Sequence, residues 1–120
     1  MPFVIHQGRA ATTPAPGVTR TVVADREDGC GAISMLYAVV EPGGAILPHT
    51  HLVEEAFTIL EGDARVLVGD EVREFRGGGV TVVAPGNTVH ALRNIGTTPV
   101  RLIGAYPSVN VGSTRVEMEF

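Results

Sequence analysis

Only one cysteine, Cys30, occurs in the 120 residues. It cannot close an internal disulfide, so a disulfide-stapled secreted scaffold is excluded. Its setting, Glu27-Asp28-Gly29-Cys30-Gly31, reads as a loop whose carboxylates discourage a thiolate, which makes it an inert thiol rather than a nucleophile. Positive charge is scarce as well. Nine basic side chains face thirteen acidic ones, for a formal charge of −4, and the arginines are scattered. A nucleic-acid or anionic-membrane partner needs a basic stripe, and none is present. No apolar run approaches the roughly 20 residues of a membrane-spanning helix. The opening Met1-Pro2-Phe3-Val4-Ile5-His6 has neither the basic start nor the apolar stretch of a signal peptide. The expectation is a cytoplasmic protein with no membrane partner, folded as one domain over residues 1–120 with residues 1–16 as an N-terminal arm.

What is abundant is glycine and proline at regular spacing, with short β-branched runs between them. After the breaker Thr13-Pro14-Ala15-Pro16-Gly17, strand-like runs cover Gly17 to Ala24, Ala32 to Glu41, Ala45 to His51, Ala56 to Leu60 and Ala64 to Val68. Further runs cover Glu71 to Phe75, Val80 to Ala84, Thr88 to Arg93 and Val100 to Tyr106, with Ser113 to Phe120 as a last candidate. Gly69-Asp70 between two of them is a tight hairpin signal. None of the runs is long enough for a helix. About ten short strands in one small domain predict an all-β sandwich or barrel.

Four histidines occur, and two form His49-Thr50-His51. Residues i and i+2 of a strand share a face, so both imidazoles project to one side. Continued parity adds Glu55 to that face and leaves Glu54 on the other. His90 shares a face with Leu92 and Asn94 in a later run. Imidazoles beside one carboxylate suit divalent iron, manganese, nickel, copper or zinc. His6 reads as a solvated or packing histidine.

From Gly43 to Gly62 the sequence reads Gly-x5-His-x-His-x3-Glu-x6-Gly, and from Gly79 to Asn94 it reads Gly-x5-Pro-x4-His-x3-Asn. These two segments resemble the two signatures of the cupin superfamily, in order, over Gly43 to Asn94. One departure is Asn87, where the family usually has glycine. Asparagine tolerates the left-handed turn conformation best among the other residues, so the turn is expected to survive.

The resemblance implies a cupin-type β-barrel (a double-stranded β-helix, or jelly roll) that holds one divalent transition metal (Fe, Mn, Ni, Cu or Zn) near its open mouth. It implies His49, His51, Glu55 and His90 as ligands. By strand parity, Met35, Tyr37, Val39, Leu47, Phe57, Ile59 and Leu92 are expected to line the substrate site. Tyr106 is added with its facing left open, and Tyr37 is the candidate acid–base group. The lining would be apolar unless a bulge turned Arg65, Arg73 or Arg93 inward. Two arginines beside the metal would point instead to a carboxylate or phosphate substrate. The leading expectation is a metal-dependent enzyme on a small organic molecule, such as a dioxygenase of an enol, diketone or phenolic substrate. A non-oxidative lyase, isomerase or cyclase, and a non-catalytic binding module, are the alternatives. The apolar run Phe3-Val4-Ile5 and the tail Val116 to Phe120 predict a homodimer.

Overall fold

A computed structural model describes residues 2–120. Alternating polar and β-branched residues between glycine-rich turns produce eleven strands among the described residues. These are β1 (Thr12–Ala15), β2 (Val18–Ala24), β3 (Ser34–Val40), β4 (Ala45–Thr50), β5 (Glu55–Glu61) and β6 (Ala64–Val68). They continue as β7 (Glu71–Phe75), β8 (Val80–Ala84), β9 (His90–Asn94), β10 (Val100–Tyr106) and β11 (Thr114–Arg115). One sheet has the order β1-β2-β3-β10-β5-β8 and the other β11-β4-β9-β6-β7. Every pairing is antiparallel. The two sheets face each other across Val18, Leu36, Val40, Phe57, Ile59, Val66, Leu92, Val100 and Leu102, all buried. Each such side chain contributes about 1.5–3 kcal/mol by leaving water. The result is a jelly-roll sandwich with a closed, apolar end and an open end.

The β6–β7 hairpin closes through Gly69-Asp70, with Val68 paired to Glu71 and Gly69 at φ 64°. On its outer face Arg65 donates to Glu74 at 2.8 Å, whereas Arg73, paired with buried Val66, shares the other face with Phe75 and lies over its ring. Asn87 has φ 59°, the left-handed conformation expected of it. At Gly62, φ is 99° and a Cβ would lie 2.7 Å from the Pro99 carbonyl oxygen and from the Val100 Cα. Both facts demand glycine where β5 turns into β6.

Three expectations need correction. The supposed breaker around Pro14 contains β1, an edge strand pairing only with β2. Edge positions tolerate proline because its missing N–H costs no ladder bond there. The segment before Cys30 holds a single 3-10 turn, Arg26–Asp28, capped by Asp25 and ended by Gly29. The tail is strand only at Thr114–Arg115, although the Val116 amide still donates to the Pro48 carbonyl and the Phe120 ring packs under Arg93.

The closed end is held by Asn94, which is only 3 % exposed. Its Nδ2 donates to the carbonyls of Val40 and Thr98 at 2.8 Å each, and its Oδ1 accepts from the Gly96 amide at 2.8 Å. The side chain thus joins the end of β3 to the β9–β10 turn. His90 lies at the other end of the same strand, about 13 Å away at 3.3 Å per residue.

Candidate metal centre

A bulge in β4 sets the geometry of the site. Ile46 pairs with Leu92 but His49 pairs with His90, so β4 carries one extra residue between these pairs. Pro48 occupies this stretch, where a missing N–H is tolerated. The bulge brings His49 beside His90 and turns both Ile46 and Leu47 toward the interior. Past the end of β4 the chain turns through Leu52 and Val53, and β5 starts at Glu55 with its side chain inward. Glu55 is 5 % exposed, whereas Glu54 is exposed.

One ligand atom from each of His49, His51, Glu55 and His90 lies within 4.8 Å of the other three. Each ring is fixed from behind. His49 Nδ1 donates to the Leu47 carbonyl (2.7 Å), His51 Nδ1 to the Gly112 carbonyl (2.8 Å) and His90 Nδ1 to the Thr88 carbonyl (2.9 Å). A carbonyl only accepts, so each Nδ1 carries a proton and each Nε2 points into the centre, where it can give its lone pair to a metal or, when it carries a proton, donate to Glu55. His49 Nε2 and His51 Nε2 are 3.1 Å apart, and His90 Nε2 is 3.0 Å from Glu55 Oε1. Lone pairs brought this close repel unless a proton or a cation lies among them. Three anchored imidazoles and one carboxylate are the donor set of a transition-metal site, complete with the outer hydrogen bonds that orient such ligands.

The electrostatics agree. Burial pushes His49 down to about 4, against the pull of the Leu47 carbonyl, so this ring is neutral and ready to ligate at neutral pH. Burial works against the Glu55 carboxylate, but hydrogen bonds from His51 and His90 outweigh it and hold the group at about 2. Burial also disfavours a charged His51, yet the bond to Glu55 and the Gly112 carbonyl raise it above its ordinary value.

Glu55 has room because of Gly104 on β10. A Cβ at that position would stand 2.9 Å from Glu55 Oε2 and 3.4 Å from the Phe57 Cβ. Nothing in the sequence around Gly104 marks it as belonging to the site. The only signal is an unexpected glycine in the middle of an apolar strand, where close approach of another group is one standard reason.

The cluster opens into a cavity of about 330 Å³. Leu47, Phe57 and Leu92 line it, as does Tyr106, joined by Leu36, Ala38, Ile46, Leu102 and Val111. Ile59 faces inward but lies in the closed core, fully buried and away from the cavity. Met35, Tyr37 and Val39 must be corrected. The β3 register buries Leu36, Ala38 and Val40 instead, which leaves the other parity on the outer face. There the Tyr37 hydroxyl accepts from Arg101 Nη1 at 3.0 Å, outside the cavity. The phenol that faces the site is Tyr106, 5 % exposed, with its ring edge-on to His51 at 5.2 Å between centroids. Burial and the Glu55 charge push this phenol up, so it is a neutral hydrogen-bond donor. Arg65, Arg73 and Arg93 stay out of the cavity. Arg20 and Arg115, neither of which the sequence reading singled out, line it.

Fold and site together define a small jelly-roll protein with an interior three-histidine, one-glutamate cluster. Residues 36–106 match the family model of the cupin domain, and the chain belongs to that family. It is 32% identical over 85 residues to the uncharacterised protein MJ1618 of Methanocaldococcus jannaschii, a match covering 69% of this chain and 67% of that one. Among solved structures it is similar to the polyketide cyclase RemF of Streptomyces resistomycificus. There the TM-score is 0.80 at 21% identity, over 99% of this chain and 87% of that one. It is also similar to an oxalate oxidase, with a TM-score of 0.78 at 26% identity over 95% of this chain, although it spans only 63% of that protein. By name, both of these structural neighbours are enzymes.

Proposed function

We propose that this protein is a metal-dependent enzyme acting on a small organic molecule, with oxygen-dependent chemistry on an enol, diketone or phenolic substrate as the leading reaction. The observation that carries this reading is the convergence of three Nε2 lone pairs and the Glu55 carboxylate, each imidazole anchored by a backbone carbonyl, at the base of an open, mostly apolar cavity. A divalent ion held there would supply Lewis acidity and, if it is iron or manganese, a redox centre. The protein's own part is to orient and to exclude. Phe57, Leu36 and Leu102 keep water from the substrate body, and Tyr106 donates a hydrogen bond to an oxygen placed beside His51. Similarity to an oxalate oxidase supports the oxygen-dependent form. Similarity to a cyclase of nearly the same length supports a second, non-oxidative reading as lyase, isomerase or cyclase.

Oxygen uptake separates the two. The iron(II)- or manganese(II)-loaded protein, offered a panel of 1,3-diketones and catechols, should consume oxygen in step with substrate loss. Product formation under nitrogen at the same rate would favour the non-oxidative reading. Tight binding without any turnover would contradict an enzymatic role.

We also propose a homodimer built on the N-terminal arm, because Phe3 and Ile5 are 80% and 78% exposed. Apolar side chains clustered at such exposure favour a partner surface. Light scattering at micromolar concentration should give twice the chain mass. A monomer there, or a dimer that survives a Phe3→Glu, Ile5→Glu double change, would refute this arm-mediated pairing.

A further inference from the structure

Arg20 lies where the strand pattern calls for an apolar residue. On β2, Val18 pairs with Val40 and Arg20 with Ala38, and Val18, Val40 and Ala38 are all buried. Thr19 and Thr21 take the outer face opposite Val39 and Tyr37. Arg20 therefore leaves β2 on the inner face and lines the same cavity as His49, His51, Glu55 and His90. Arg115 reaches it from the other sheet. It is the register partner of His49 in the β11–β4 ladder, so its side chain starts on the histidine face.

Neither cation has a firm carboxylate partner, although Arg20 lies within reach of the Tyr106 hydroxyl. Among the described residues, Arg20 has no carboxylate within 4.0 Å. The partner of Arg115 is Glu117 at 4.0 Å, whose side chain is 97% exposed, and a pair of that kind is worth little. Glu55 is the one acidic residue among the cavity's lining, and its hydrogen bonds go to His51 and His90. Both arginines are exposed, Arg115 with 54% of its side chain accessible, so they stand at the rim of an otherwise largely apolar cavity, free to meet an anion that enters it.

We propose that Arg20 and Arg115 form a carboxylate-binding mouth above the metal cluster, so that the substrate is an organic acid. Its apolar body fills the space between Leu36, Phe57, Leu102 and Val111, and a second oxygen reaches the histidines. The inference rests on the metal-enzyme reading and narrows it. Guanidinium binds carboxylate through two parallel hydrogen bonds, and one arginine suffices for one carboxylate. The apolar walls select an organic acid over a free inorganic anion. The wholly apolar lining expected from strand parity is thereby replaced.

The test uses mandelate and mandelamide, which share a body and a chelating hydroxyl but differ in charge. Calorimetric titration of the cobalt(II)-loaded protein should show mandelate bound at least about tenfold more tightly. Replacing both arginines (Arg20→Gln with Arg115→Gln) should shrink that ratio by about tenfold or more, as expected for hydrogen bonds to a charged group. Mandelamide affinity and cobalt content should stay unchanged. An unchanged ratio in the double variant at full cobalt content would overturn the arginine assignment alone, as would no mandelate binding by the wild type. A protein that takes up no cobalt yet keeps an arginine-dependent mandelate preference would sink the metal reading and leave the mouth standing. Displacement of mandelate by inorganic phosphate at equal or lower concentration would overturn the choice of carboxylate.

Discussion

His90→Ala and His49→Ala, purified beside the wild type, should lose metal affinity by on the order of 10²-fold or more, since even residues that merely support a ligand cost 10–100-fold when removed. Each change deletes one of the lone pairs at the centre and leaves a hole beside the partner ring, because His49 and His90 face each other across the ladder. Glu55→Ala should be milder, as three imidazoles remain. Gly104→Ala should weaken metal binding by about 10–100-fold although residue 104 offers no donor, because the added methyl would stand 2.9 Å from Glu55 Oε2 and push the carboxylate aside. Glu54→Ala is the control, since that side chain points to solvent. Metal content by plasma mass spectrometry ranks all five. Equal loss on changing Glu54 and Glu55 would contradict the facing of β5, and full metal in both histidine variants would contradict the ligand set.

The second large effect lies at the far end of β9. Asn94→Ala removes three hydrogen bonds of 2.8 Å, to the buried end of β3 and to the β9–β10 turn. A net bond is worth about 1 kcal/mol. The expected loss is therefore about 2–4 kcal/mol, read as a fall in Tm on the order of 10 °C. Asn94→Asp should be nearly as harmful, because a carboxylate cannot donate to two carbonyls. Metal stoichiometry of the folded fraction should stay unchanged, since Asn94 does not reach the cluster. Denaturant titration giving a loss below about 0.5 kcal/mol would contradict the staple.

The contrast between these residues explains what was legible in the sequence. His49, His51, Glu55, His90, Gly62 and Asn94 recur at fixed spacing because each does one local job at a fixed point of one strand or turn, and the structure brings the four metal-type donors together. The succession of strands along the chain and the turns at Gly69 and Asn87 were legible for the same reason, through local backbone chemistry. The facing of β3 was not. Met35, Tyr37 and Val39 are as apolar as Leu36, Ala38 and Val40, so periodicity has nothing to decide with. Only Arg101 and the packing of β2 and β10 on either side of β3 turn Tyr37 outward. Gly104 and Arg115 act through neighbours distant in sequence, Glu55 and His49, and no local pattern could find them. Arg20 was within reach, since Val18, Arg20 and Val22 alternate with Thr19 and Thr21. An arginine on the apolar parity of such a strand is itself the signal. The tail could not be read as strand or coil from its apolar content, because only Thr114 and Arg115 find ladder partners on β4.

Central to the account is that His49, His51, Glu55 and His90 hold one metal ion. Anomalous diffraction at the absorption edge of the metal found in the purified protein tests this most directly. The account predicts one strong peak per chain, about 2.0–2.3 Å from the Nε2 atoms of all three histidines and from a Glu55 oxygen. No peak, a peak elsewhere, or coordination through Nδ1 with the carbonyl bonds to Leu47, Gly112 and Thr88 broken would contradict it.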